Sequence, residues 1–309
     1  MTGSDKNCLV ICGPTASGKT SLGVALALEF NGEILSADSR QIYRGMDIGT
    51  GKDLHEYITP LGSVPYHLID IRYPAELYTL HHYQTDFYAA FRDVRGRARL
   101  PVVVGGTGLY IEAVLKHYRI PNVPEDPEVR ERLMGESIED LLRQLEVLSP
   151  ELHRNTDTSS KKRVVRSLEI ALYGRDHRIL WSDENPPRID PLVLAVRWPR
   201  HELHARINRR LEQRLNHGMI EEVERILRSG IPRDRFDLFG MEYKHIAAYI
   251  DGTVSFKAMV QNLRHAIHQL AKRQETWFRG MERRGIAIHW IDRADRKPAS
   301  DIVRQSGLV

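Results

Sequence analysis

Gly13-Pro14-Thr15-Ala16-Ser17-Gly18-Lys19-Thr20 follows the apolar run Leu9-Val10-Ile11-Cys12 and precedes a helix-like stretch from Ser21 to Phe30. The octapeptide fits G-x-x-x-x-G-K-[ST], and a strand before it with a helix after it is the setting in which that motif has meaning. Its glycines let successive backbone N–H groups turn inward at a helix N-terminus, which makes an anion-binding nest. Lys19 adds a full positive charge, and the Thr20 hydroxyl can reach a metal ion or a bridging oxygen. The loop therefore predicts a site for a diphosphate or triphosphate, without saying which molecule carries it.

The same alternation continues outward from the loop. Short apolar strands are predicted at Cys8–Cys12, Glu33–Ser36, His67–Asp70 and Pro101–Val104, with helices over Ser21–Phe30 and about Leu80–Arg95. Fully apolar short strands between helices indicate a parallel sheet covered on both faces. Ligands of such sheets sit at the carboxyl ends of the strands, and Lys19, Asp38 and Thr107 each fall just after a strand. From about Leu109 the pattern turns helical: Asp126-Pro127 is a helix start with an N-cap Asp and Pro at N1, and Lys162–Leu172 is a further helix. Asn185-Pro186-Pro187 reads as a linker, and Leu192–Val196 as a returning strand. Helices are predicted at His201–Gly218, Met219–Arg228, His245–Ile250 and Ser255–Arg284, with a last strand at Ile286–Ile291. The predicted class is α/β: a P-loop NTPase-like parallel sheet flanked by helices (1–111 and 188–309), interrupted by an all-helical insertion (112–187).

Composition sets the outer bounds. The 309 residues are 41% hydrophobic and 28% charged, ordinary for a soluble globular chain. No apolar run approaches a membrane span, and the polar start Met1–Asn7 does not resemble a signal peptide, so a cytoplasmic protein without membrane contact is expected. Cys8 and Cys12, four apart in one strand, read as buried small hydrophobes. The net charge is +4 and the pI about 9.0. Residues 201–309 carry 20 Lys and Arg against 14 Asp and Glu, and residues 154–178 are also locally basic. Two basic regions beside a phosphate loop favour a polyanionic partner over a merely solvated face.

Four further groups bear on chemistry. Asp38, in Ser36-Ala37-Asp38-Ser39-Arg40-Gln41, lies beside the phosphate loop in a parallel sheet, and is either an N-cap or turn residue or else a general base or metal-site carboxylate. The strand at Val102–Val104 ends in Gly105-Gly106-Thr107-Gly108, where many nucleotide hydrolases place a metal-binding Asp. The cradle is thus kept without a clear second acid, and the glycine pair allows close approach of a backbone or a base. Arg206 and Arg210 share one helix face and can clamp a diphosphate, whereas Arg209 suits solvent. Gln269–Arg279 interleaves basic residues with Trp277 and Phe278, which fits nucleic-acid contacts and fits a packed helix equally well. His201-Glu202-Leu203-His204 has the wrong spacing for a zinc helix of the H-E-x-x-H kind.

Taken in order, GPTASGKT (13–20), SADSRQIYRGMDIGTGK (36–52), HLIDI (67–71), VVVGGTGLYI (102–111), DPEVR (126–130), RINRR (206–210) and QLAKRQETWFR (269–279) resemble the tRNA dimethylallyltransferase family, also called tRNA isopentenyltransferases. The resemblance spans nearly the whole chain. It implies transfer of a dimethylallyl group from dimethylallyl diphosphate to N6 of adenine 37 beside the anticodon, so that the loop holds a prenyl diphosphate instead of a nucleotide. It further implies that Asp38 is the general base, that Thr20 contacts the bridging oxygen, and that Lys19 and Arg210 stabilise the leaving diphosphate with Mg²⁺. Asp38, Ser39, Arg40 and Gln41 resemble the base-contacting segment, and Thr107 the residue near tRNA in the reaction channel. Lys162, Arg163 and Arg166 align with contacts to the anticodon stem. Two segments depart from the family pattern. Asn155-Thr156-Asp157 stands for its Asn-Asp-Pro, and Glu242-Tyr243-Lys244 for its Gly-Tyr-Arg/Lys. The chain lacks the cysteines of the C-terminal zinc finger found in some members, and a monomer is expected. The competing readings are an adenylate isopentenyltransferase acting on free AMP, ADP or ATP, a small-molecule P-loop kinase, and a catalytically idle RNA-binding protein.

Overall fold

The structure, a computed structural model, describes residues 6–181 and 185–309. It divides into two units, one of Met1–Thr79, Asp86–His117 and Pro186–Val309, the other of Leu80–Thr85 and Tyr118–Asn185. The chain begins with β1 (Cys8–Cys12), α1 (Lys19–Glu29) and β2 (Gly32–Ser36), followed by a hairpin of β3 (Ile58–Thr59) and β4 (Gly62–Ser63). Then come β5 (Tyr66–His67), α2 (Leu80–Gly96), β6 (Leu100–Gly105) and α3 (Gly108–Leu115). The second unit adds α4 (Pro127–Gly135), α5 (Ile138–Leu148), α6 (Pro150–Asn155) and α7 (Lys161–Asp176). The first unit resumes with β7 (Pro191–Arg197), α8 (Arg200–Asn216), α9 (Met219–Arg228), α10 (Phe236–Phe239), α11 (Met241–Ile250), α12 (Phe256–Arg283), β8 (Ile288–Asp292) and α13 (Arg296–Gln305).

Six strands form one parallel sheet in the order β5-β2-β6-β1-β7-β8. All residues of β1, β2 and β6 are buried, as apolar strands covered on both faces must be. Leu9, Ile11, Ile34, Val102 and Leu194 pack with Leu22 and Leu26 of α1 and with Val303 of α13. Each such side chain contributes about 1.5–3 kcal/mol by leaving water. The register pairs Cys12 with both Gly105 and Ala195, and Ser36 with Val104. The loops after β1, β2, β6 and β7 therefore emerge side by side along one edge of the sheet.

Among the boundaries that differ from the sequence reading, two bear on the layout of the chain. The strand expected at His67–Asp70 is confined to Tyr66–His67, because Leu68 and Asp70 take φ of 66° and 55° and end the extended run. The second unit comprises Leu80–Thr85 and Tyr118–Asn185, where a single insertion over 112–187 was expected. Glu112, buried on α3, accepts a hydrogen bond from Arg284 Nη2 (2.7 Å) and ties that helix to the sheet-bearing unit.

The second unit has its own core of Leu133, Leu141, Leu145, Val164, Val165 and Leu168. Asp126 caps α4 as its sequence predicts, accepting from Glu128 N and Val129 N, with Pro127 in the first turn. Arg130 then forms a two-pronged pair with buried Glu169 (2.8 and 2.7 Å), which joins α4 to α7.

Candidate active site

The phosphate loop is shaped from outside. Ala16 and Gly18 take φ of 60° and 87°, and Gly18 opens α1. Trp198, just past β7, donates Nε1–H to Ser17 O (2.8 Å). Arg206 Nε donates to Ala16 O (2.8 Å), and its guanidinium lies 4.4 Å over the Trp198 ring. Gln274 of α12 accepts from Thr15 N (2.8 Å). With the Ser17 carbonyl held outward, the trans peptide directs Gly18 N–H to the opposite side, as an anion nest requires. Arg206, read in the sequence as part of a diphosphate clamp, braces the loop backbone and also lines the cavity described next.

Loop residues from Thr15 to Thr20 open into a cavity of about 1160 Å³, which lies within the first unit. Asp38 and Thr107 line it, as do Arg210 and Trp277. Asp38 Oδ1 accepts from Arg40 N (3.0 Å) in a local turn, and no described residue bonds Oδ2. Thr107 Oγ1 accepts from Ser39 N (3.0 Å) and donates to Ser39 Oγ (3.3 Å), so the turn after β6 supports the turn after β2. Gln41 Nε2 donates to Gly51 O (3.1 Å), and the Arg40 side chain lines the cavity. Lys19 Nζ rests on Pro14 O (3.3 Å). Desolvation lowers its pKa to about 8, opposed by the nearby Asp38 carboxylate. The structure therefore brings together Lys19, Thr20, Asp38, Ser39, Arg40, Gln41, Thr107 and Arg210.

The glycines that end β6 and begin α3 meet neighbours that a Cβ would strike. A Cβ at Gly105 would stand 2.1 Å from Ala37 O, and one at Gly108 would stand 2.3 Å from the Trp277 ring. Trp277 is 37% exposed on the cavity wall, whereas Phe278 is fully buried. The basic-aromatic segment is thus both a packed helix and a cavity wall.

Arg210 pairs with Asp53 and also approaches Gly51 O (3.4 Å). Burial disfavours the Asp53 carboxylate, yet Arg210 and Arg214 hold its pKa below the ordinary range. Arg214, which the sequence reading passed over, is 14% exposed, stands 3.7 Å from the same carboxylate and lines the cavity. Burial pushes its pKa down to about 10. Glu242, at the position where the resemblance has glycine, also lines the cavity. Burial raises its pKa and Arg214 opposes the shift.

The loop 38–53 is tied down twice. Lys52, 1% exposed, donates to Tyr43 O (2.6 Å) and Asp47 (2.7 Å) and pairs with Asp70. Glu222 of α9 accepts from the amides of Asp47, Ile48 and Gly49 (2.8–2.9 Å) and from Tyr243 Oη–H (2.7 Å). Glu222 carried no signal in the sequence beyond a helix acid. Gln274 was visible inside a basic-aromatic run, whereas Trp198, two residues past the strand expected at Leu192–Val196, carried no signal of its own.

Lys162, Arg163 and Arg166 lie on α7 in the second unit. Lys162 is exposed, and Arg163, also exposed, pairs with Asp157. Arg166 turns inward, donating to Val123 O (2.6 Å) and Glu169 (3.1 Å). In the HExH segment, Glu202 pairs with Arg293 (2.6 Å), and His204 stacks on His268 with ring centroids 3.9 Å apart.

The profile of the IPP transferase family matches residues 41–281, and that of the isopentenyl transferase family matches 6–63. The chain is 48% identical over 292 residues to tRNA dimethylallyltransferase 2 of Trichlorobacter lovleyi, covering 94% of this chain and 93% of the relative. It is 50% identical over 286 residues to tRNA dimethylallyltransferase 2 of Pelobacter propionicus, covering 93% and 90%. Among solved structures, the tRNA isopentenylpyrophosphate transferase of Bacillus halodurans superposes with a TM-score of 0.70 at 31% identity, over 98% of this chain and 97% of that one.

Proposed function

This chain belongs to the IPP transferase family, and from that premise we propose that it transfers a dimethylallyl group from dimethylallyl diphosphate to N6 of adenine 37 in tRNA. The protein is a prenyltransferase that modifies tRNA. The observation that carries the finer chemistry is that the phosphate loop and the Asp38 carboxylate face one cavity of about 1160 Å³. That volume exceeds the ~300–1000 Å³ of ordinary small-ligand pockets and leaves room for a nucleobase extruded from its stack beside the prenyl group.

In this reading N6 of adenine forms a bond to the prenyl carbon as the carbon–oxygen bond to diphosphate breaks. The N6 proton passes to Asp38, whose Oδ2 no described residue bonds. Charge develops on the departing diphosphate, and Lys19, Arg210 and the loop amides stabilise it. Thr20 meets the bridging oxygen. Ser39, Arg40, Gln41 and Thr107 hold the base and its flanks, and exposed Lys162 and Arg163 contact the anticodon stem, with Arg166 supporting their helix.

Mg²⁺ is the proposed cation. No three His, Cys, Asp or Glu side chains cluster among the described residues, so the protein offers no cage of its own. A threonine hydroxyl at the cradle instead suits an ion held mainly by phosphate oxygens and water, with Thr20 the donor from the protein. Bound there, the ion offsets diphosphate charge. The reading includes a monomer working in the cytoplasm, where tRNA is. No helix among the described residues is long and apolar enough to cross a membrane.

A transfer assay tests the function. Purified protein and Mg²⁺ are mixed with labelled dimethylallyl diphosphate and either unmodified tRNA or AMP, and the digested nucleosides are identified by mass. Label on N6 of adenine 37, lost in Asp38→Ala while tRNA binding persists, is the expected result. Label on AMP alone, or ATP consumed without any label transfer, would overturn it.

A further inference from the structure

Gln274 makes two hydrogen bonds to backbone groups that belong to different walls of the cavity. Its Oε1 accepts from Thr15 N of the phosphate loop (2.8 Å), and its Nε2 donates to Gly106 O of the turn after β6 (2.9 Å). The fit at Gly106 is close. A Cβ there would stand 2.5 Å from Gln274 Nε2 and 3.5 Å from Lys19 Nζ. The turn after β6 is therefore packed between the loop lysine and the Gln274 amide. Only a side chain with one donor and one acceptor at this length can serve both backbone groups at once.

We infer that Gln274 is a positioning residue for diphosphate binding, locking the phosphate loop to the turn after β6 so that the cradle is preformed. The inference rests on the proposed reading that a diphosphate is the loop's ligand. Gln274 itself acts through the backbone it holds. With Trp198 on Ser17 O and Arg206 on Ala16 O, it is the third brace on consecutive loop residues, and it comes from α12. Losing it leaves a loop amide and a turn carbonyl without their partner and lets the loop sample conformations that do not bind anions. The geometry also makes a specific pH signature. A glutamate here is isosteric with glutamine. Ionised, it still accepts from Thr15 N–H but repels Gly106 O; protonated, it donates to Gly106 O and restores both bonds.

The test is calorimetric binding of inorganic diphosphate to the full chain, wild type against Gln274→Glu, Gln274→Met and Gly106→Ala, between pH 5 and pH 8. At pH 8 all three variants are expected to bind at least tenfold more weakly than wild type. At pH 5 Gln274→Glu recovers toward the wild-type value at that pH, whereas Gln274→Met does not. Gly106→Ala displaces only the far end of a side chain, so it phenocopies the loss with the backbone intact should Gln274→Met fold poorly. Wild-type affinity in Gln274→Met or Gly106→Ala, or a Gln274→Glu deficit that ignores pH, would overturn the inference. So would a wild type that does not bind diphosphate. Because binding is read without transfer, a wild type that binds diphosphate yet labels no tRNA sinks the proposed reaction, and the variants still decide the role of Gln274.

Discussion

Lys19 is caught between desolvation, which favours its neutral form, and the Asp38 carboxylate, which favours the cation. Desolvation wins, and the pKa falls from 10.5 to about 8. The sign follows directly. Between pH 8 and 10.5 the unfolded chain holds the proton that the folded chain has lost, so this lysine's burden on stability is full below about pH 8 and relieved as pH rises toward 10.5. Binding runs the other way, because an anion needs the charged form. Affinity for inorganic diphosphate should fall as pH rises past about 8, and binding near pH 8 should take up protons. Calorimetry in two buffers of different ionisation enthalpy measures that uptake; equal apparent enthalpies would refute it. The two cysteines illustrate the opposite case. Burial pushes both thiols up to about 12, so they behave as small apolar side chains of β1.

At the scale of elements, the glycine run from the end of β6 into α3 is a packing requirement before it is anything else. Gly105 abuts the Ala37 carbonyl, a backbone atom that cannot yield, while Gly108 abuts an indole ring that can swing toward the cavity. Gly105→Ala should therefore lower stability by about 3 kcal/mol or more, and Gly108→Ala by about 1–2 kcal/mol. Denaturant midpoints compare the two, and an equal loss would mean that Trp277 is as immobile as the sheet. Glu222 shows the same principle in polar form. One helix carboxylate holds three consecutive amides of the 38–53 loop, an arrangement that makes this long irregular segment a fixed wall of the cavity.

At the scale of the whole molecule, the modest net charge of +4 conceals an uneven distribution, with the excess in residues 201–309 and along α7. If exposed Lys162 and Arg163 meet RNA phosphates, Lys162→Ala with Arg163→Ala should weaken tRNA binding and reduce the log–log salt slope by about 0.7–0.9 per lost contact. A slope equal to wild type assigns both to a solvated face. The phosphate loop, the parallel strands, the helical insertion and the positions of Lys19, Thr20, Asp38 and Thr107 were all legible in the amino-acid order. Each is written in short-range terms: apolar runs, helix starts, and glycines at fixed spacing. The placement of Trp198 and Gln274 was not. Trp198 reaches Ser17 because β7 lies beside β1, and Gln274 reaches Thr15 across 259 residues of chain. Contacts between residues so far apart leave no local periodicity, and the turning of Arg166 inward, or of Arg206 onto the loop backbone, depends on acceptors supplied by distant backbone. The sequence alone determined which chemistry the chain carries. The tertiary structure decided which side chains hold that chemistry in place, because only folding brings those donors and acceptors within hydrogen-bond reach.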